Sequence, residues 1–280
     1  MITMATQNTT YNEDMQIAAR KMVKANRIDV ALGNVPGMYP IIKFGRAPDG
    51  VQTTATDIWD LADGTVTEQP IWLAPTAARV HAIVSTDVND DGDPTGSGAR
   101  TIQVYGLTSW STNETSETVT MNGTTPVNTA NSYVIIHRMK VITSGGTSRN
   151  AGTITATAAT DATVTALILP NNGSTEMAIY GVPSTQTLAL TQLSASIQKA
   201  SGAAAHAVVN LFANPEPDTQ TTQFTKVDVK GLHSTGSSSK SWPYDPYISI
   251  TGPAIVKVSC ESSAADIDMT AGFSGILVDL

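Results

Sequence analysis

At 280 residues the chain can bury about three quarters of its unfolded surface, so packing alone can hold it, and its single cysteine, Cys260, has no partner for an internal disulfide. A net charge of −8 leaves nothing to neutralise a row of phosphates, which excludes a general nucleic-acid binder. No apolar run is long enough to span a bilayer, and the opening "MITMATQNTTYNED" lacks the basic start and apolar core of a signal peptide, so the expectation is no membrane partner and synthesis in cytoplasm.

Charged residues are 14% of the chain, against about 25% in ordinary domains, and Ser plus Thr make up roughly a fifth. Thr and Val suit pleated strands, and Gly, Asn, Asp, Ser and Pro suit turns. The predicted class is therefore all-β: one or two β-sandwich modules, jelly-roll or immunoglobulin-like, with a short N-terminal helical arm. The predicted division is an arm over 1–37, a first module over 38–170 and a second over 171–280.

The arm carries the one clear helical pattern. Thr10 and Glu13 form a capping box, and Met15, Ala18, Ala19 and Met22 share a face. Arg20, Lys21, Lys24 and Arg27 follow near its C-terminal end, where the helix dipole favours cations. They serve solubility there, or they form an arm laid on an acidic neighbour, together with Lys43 and Arg46 of "IIKFGR".

From residue 38 onward, short β-branched runs alternate with turn signals at the spacing expected of sandwiches and barrels. "TDIWDLADG" holds two carboxylates, Asp57 and Asp60, around Trp59; Trp59 is expected to pack inward, with the acids facing solvent or capping a turn. Between the strand-like runs "RVHAIVST" and "TIQVYGL" lies "DVNDDGDPTGSGAR". Asp87, Asn89, Asp91 and Gly92 match the first half of a calcium loop, and Asp93 adds a carboxylate, but Gly98 stands where a bidentate Glu should close the shell. The segment reads as a solvated hairpin loop, with a weak calcium site at Asp87, Asn89, Asp91 and Asp93 as the alternative. In "ETVTMNGTTPV" the Asn122-Gly123 pair has type I′ turn preference, while Pro126 makes the return strand short or an edge.

"IWLAPTAARVHAI" and "IYGVPSTQTLALT" pair Trp72 and Pro75 with Tyr180 and Pro183, a short internal match consistent with two modules joined near residues 169–176. Further on, "HSTGSSSKSWPYDPY" reads as an exposed loop in which Trp242, Tyr244 and Tyr247 form a recognition tip, or fold back on the rim. Cys260 alternates with Val256 and Val258 and reads as a buried small residue.

No common catalytic, zinc or phosphate-binding signature occurs, and His81, His137, His206 and His233 stand singly. The expectation is a protein that is not an enzyme and takes no cofactor. The Asn-x-Ser/Thr sequons at Asn8, Asn113, Asn122 and Asn172 follow from abundant Asn and Thr.

In their order along the chain, "DVALGNVPGMYPIIKFGRAPDG", "TDIWD", "GSGARTIQVYGL", "SETVTMNGTTPVNTANSYVIIHRMKV" and "EMAIYGVP" resemble a family of structural proteins of tailed bacteriophages, over about residues 28 to 183. The resemblance implies a non-enzymatic, β-rich virion component, assembled in the host cytoplasm. Broad polar β surfaces suit wet, symmetric contacts. The leading expectation is a capsid cement or decoration protein, homotrimeric and seated on the major capsid protein. The alternative is a tail, collar or fibre component involved in host attachment.

Overall fold

The computed structural model describes residues 27–51, 53–60, 69–198, 205–234, 237–264 and 267–280. The predicted helix over Thr10 to Met22 lies outside them. What precedes the sheets is a helical turn over 27–31, closed by a Schellman motif: Gly33 N–H donates to Val30 O at 3.0 Å and Asn34 N–H to Asp29 O at 2.8 Å. Gly33 supplies the left-handed conformation that this ending requires, with φ of 74°.

The rest is β structure in four small antiparallel sheets. The first is ordered β1 (Met38–Val51), β16 (Ile267–Asp279), β11 (Gln186–Gln198), β14 (Ser237–Thr251). The second is ordered β10 (Ile179–Val182), β15 (Ala254–Ser262), β12 (Ala205–Asn214), β13 (Thr225–Ser234), with β2 (Thr56–Asp57) also paired to β15. The third is ordered β6 (Val127–Asn128), β3 (His81–Ser85), β8 (Ile154–Ala158), β9 (Val164–Ile168), and the fourth β5 (Thr115–Thr120), β4 (Ala99–Leu107), β7 (Ile135–Ser144). One contiguous apolar cluster runs through all four.

Sequence patterns explain individual strands. In "TLALTQLSASIQ" the buried residues are Leu188 and Leu190, then Leu193, Ala195 and Ile197, so the alternation slips phase by one. The ladder with β16 absorbs the slip as a register shift between Leu190 and Gln192. The extra residue, Thr191, donates its hydroxyl to Ser274 O at 3.1 Å. Without that bulge every later apolar side chain of β11 would face solvent. β15 is buried on both faces, as a central strand should be, and Cys260 sits within it with its thiol pushed up by burial.

Several expectations about connections are corrected. Residues 87–98 do not close a hairpin: they carry the chain from β3 in the third sheet to β4 in the fourth. Asn122-Gly123 does not form a type I′ turn, because only Gly123 has positive φ, and β5 and β6 belong to different sheets. The return strand β6 is two residues long and lies at a sheet edge, in accord with Pro126. Trp72 lies outside any strand whereas Tyr180 is in β10, so the short internal match does not mark equivalent places. β1 and β2, from the 38–170 stretch, are hydrogen bonded to β16 and β15 from the 171–280 stretch.

The crossing of β1 over the second sheet depends on Gly45, since a Cβ there would lie 2.4 Å from Ile58 O and 2.6 Å from Ala178 N. Both obstacles are backbone and cannot swing aside. Gly45→Ala is expected to cost about 2 kcal/mol or more, through forced separation of β1 from the layer beneath. Chemical denaturation checks this; an unchanged midpoint would show that the crossing is loose.

Candidate functional site

The residues expected to form a surface arm do not stay together. Arg20, Lys21 and Lys24 lie outside the described residues. Arg46 is half exposed and pairs with Asp268 at 3.2 Å. Lys43 is buried, at 5% exposure, because its position on β1 alternates inward between the exposed Ile42 and Phe44; it cannot serve as a surface contact. Arg27 lies far from both in sequence terms, and its guanidinium stacks 5.4 Å from the Tyr247 ring centroid and hydrogen-bonds the Tyr247 hydroxyl.

That contact joins the arm to the segment expected to be a recognition loop, which is a strand. Trp242 stays in the β14 ladder opposite Leu193 and packs half-buried against the core. The ladder then jumps from Gln192↔Pro243 to Leu190↔Ile248, so residues 244–247 leave it as a wide bulge. Within the bulge Tyr244 folds back and donates its hydroxyl to Asp228 at 2.7 Å, while Tyr247 faces outward at 41% exposure. Of the three aromatics, only Tyr247 is presented to solvent.

The outer face of the first sheet is built of small hydroxylated residues. Register aligns Arg46, Thr270, Ser196 and Ser239 in one row, Phe44, Gly272, Ser194 and Ser241 in the next, and Ile42, Ser274, Gln192 and Pro243 in a third. Ser196 and Thr270 hydroxyls bond to each other at 2.6 Å. Ile42 at 65% exposure and Phe44 at 50% make an apolar margin along the β1 side.

Beneath that margin, between the first, second and fourth sheets, is a cleft of about 300 Å3 lined by Pro40, Ile42, Lys43, Tyr105, Glu114, His137, Arg138 and Tyr180. Lys43 Nζ donates to the backbone carbonyl of His137. His137 Nε2 meets Glu114 Oε2 at 2.5 Å, and its ring lies 4.5 Å from that of Tyr180. Arg138 donates to Ile42 O at 3.1 Å. Burial and the neighbouring Arg138 charge push the Lys43 ammonium down to about 7, against the opposing pull of Glu114. Burial also lowers His137 despite Glu114, so its imidazole is neutral at pH 7, and Nδ1 is left with no hydrogen-bond partner. Against its own burial, the hydrogen-bonded His137 first, then the Lys43 and Arg138 charges, hold the Glu114 carboxyl below the usual range.

His137 had no carboxylate partner within reach in the sequence; Glu114, 23 positions away, was missed. The acids Asp57 and Asp60 were expected outside and are inside. Asp57 Oδ2 accepts from Lys257 Nζ at 2.6 Å and Trp72 N–H at 2.8 Å, and burial still pushes its carboxyl up. Asp60 accepts from Glu176 N–H at 2.9 Å. Both therefore bind the chain to itself. They do not flank an open groove.

The acidic loop behaves likewise. Asp87 Oδ1 accepts from both nitrogens of Asn89, at 2.8 and 2.9 Å, and Asp91 Oδ1 from Asp93 N–H at 2.9 Å, which are turn-forming bonds. Among the described residues no three of His, Cys, Asp or Glu gather where a metal could sit. The residue that organises the loop is Asp90, which the half-motif passed over. It is buried and accepts four bonds: from Ser85 Oγ at 2.6 Å, Ala99 N–H at 2.7 Å, Ala151 N–H at 2.7 Å and Gly152 N–H at 2.9 Å.

No family model matches the chain, and no curated protein matches it. Among solved structures it is similar to that of the infectious bursal disease virus Gt strain, at 14% identity over 87% of this chain and 71% of the other, with a TM-score of 0.22. It is likewise similar to the infectious bursal virus derived T=1 particles, at 12% identity over 86% and 68%, with a TM-score of 0.22. At that level a likeness does not define a shared fold.

Proposed function

We propose that this chain is a non-enzymatic structural protein of a virus particle, acting as a capsid cement or decoration protein. It sits as a homotrimer on the major capsid protein, and the phage virion is its location. The observation that carries this reading is the outer face of the first sheet, a broad hydroxylated surface with Ile42 and Phe44 exposed along one margin. Such a face offers many modest, wet contacts beside a small apolar strip, as an apolar centre with a polar, hydrated rim does at a protein–protein interface. The order of phage-like segments along the chain supports the same class. The fold reading that accompanies it is two sandwich-like pairs of sheets, supported by β7 lying against β9 and β13 against β14.

Phe44→Glu is expected to abolish incorporation into particles and to leave the isolated chain folded, because Phe44 is half exposed. Counting copies in purified virions against the major capsid protein checks the placement. Near parity is expected for cement, and a handful of copies would reassign the chain to the tail or collar. That second reading, host attachment, is favoured by the outward Tyr247 on the β14 bulge. Loss of host-cell binding in Tyr247→Ala, with particle assembly intact, would establish it.

A further inference from the structure

The cleft beneath β1 holds more positive charge than its own residues neutralise. With Lys43 protonated, below about pH 7, Lys43 and Arg138 contribute two cations, Glu114 contributes one anion, and His137 is neutral, leaving an excess of one. Glu114 is already engaged by His137 Nε2 at 2.5 Å. Lys43 directs a donor to the His137 carbonyl, and Arg138 Nη2 is directed to Ile42 O. An ammonium has three donors and a guanidinium five, so both retain capacity for a further acceptor. The mouth is walled by Pro40, Ile42 and Tyr105, which favours a ligand with an apolar body.

We propose that this cleft binds a small organic carboxylate, its oxygens seated between the Lys43 ammonium and the Arg138 guanidinium. A planar carboxylate matches the fork of Arg, and a single negative charge completes the local balance where a phosphate dianion would overshoot it. Pairing also offsets the cost of burying Lys43, which is the physical reason for the ligand to stay. Binding requires Lys43 protonated. Of the groups facing it, Glu114 is held ionised and His137 and Tyr180 are neutral, and Arg138 and Tyr105 complete the lining.

The test is calorimetric titration of the full chain with benzoate, acetate, inorganic phosphate and chloride at matched ionic strength. Benzoate and acetate are expected to bind with affinities in the millimolar range or tighter, and phosphate and chloride weakly or not at all. Carboxylate affinity should be on the order of tenfold or more weaker at about pH 8.5 than at about pH 6, as Lys43 loses its proton. Lys43→Met and Arg138→Gln should each abolish it, and Arg138, exposed at the mouth, can be replaced without disturbing the core. Absence of carboxylate binding, preference for phosphate, or binding that survives Arg138→Gln would each overturn the proposal.

Discussion

Asp90→Ala is expected to lower the stability of the chain by about 4 kcal/mol or more, a large fraction of what holds a domain together. The carboxylate accepts three backbone N–H groups and one hydroxyl, from three separate stretches of chain at residues 85, 99 and 151–152. Removing the side chain leaves each donor without its acceptor in a dry site, at about 1 to 3 kcal/mol apiece before any water refills the space. Asp90→Asn should be intermediate, since one amide oxygen can still serve Ala99 and Ala151. Asp87→Ala is the contrast: it removes only the two bonds from Asn89 within one surface turn and should cost less than about 1 kcal/mol. Thermal unfolding of the three variants decides the matter. A melting temperature for Asp90→Ala close to that of Asp87→Ala would mean that Asp90 anchors nothing.

The second large effect is a pH dependence that Lys43 imposes. Its pKa is lowered from 10.5 to about 7 in the folded chain. Between these values the unfolded chain holds a proton that the folded chain has released, so stability rises with pH through that window. Below about pH 7 both states are protonated and the cost of the buried ammonium is fully present. Lys43→Met removes the titration, so the difference between variant and wild type is greatest in acid and shrinks toward pH 10, by on the order of 4 kcal/mol in all. Denaturant unfolding across that range, compared as a difference between the two proteins, measures it; parallel curves would show that Lys43 keeps its normal proton affinity. His81 adds a separate slope at lower pH. Burial pushes it down to about 4, so stability is lost as pH falls from about 6.5 toward that value, when the unfolded chain takes up a proton first.

The β character of the chain was legible because it is local. Thr- and Val-rich alternation and the inward face of β15 that carries Val256, Val258 and Cys260 each follow from which neighbours in sequence are apolar, whereas the burial of Lys257 and Ser259 on its other face does not. The short edge strand after Pro126 was legible for the same reason. Partners of charged side chains were not, because they are set by which strands cross. Glu114 finds His137 from 23 residues away and Asp57 finds Lys257 from 200 away. Composition makes such acids look like surface residues, whereas a charge can be buried wherever the fold brings an opposite charge or several N–H donors to it.

Site prediction failed by the same mechanism. Spacing drew attention to the alternate residues Asp87, Asn89 and Asp91, yet the intervening Asp90 turns inward to the donors of residues 99, 151 and 152. Lys43 and Arg46 look alike in "IIKFGR", but three positions along a strand reverse the face, so one is buried in a cleft and the other pairs with Asp268 at the surface. The sequence by itself determined that the chain is built of strands, needs no disulfide and places Cys260 inside, since these follow from side-chain volume, polarity and period. Only the tertiary structure decided that the acidic loop crosses between sheets, that Asp90 anchors it, and that Lys43, Glu114, His137 and Arg138 share a cleft, because each depends on contacts between segments that local preference leaves free.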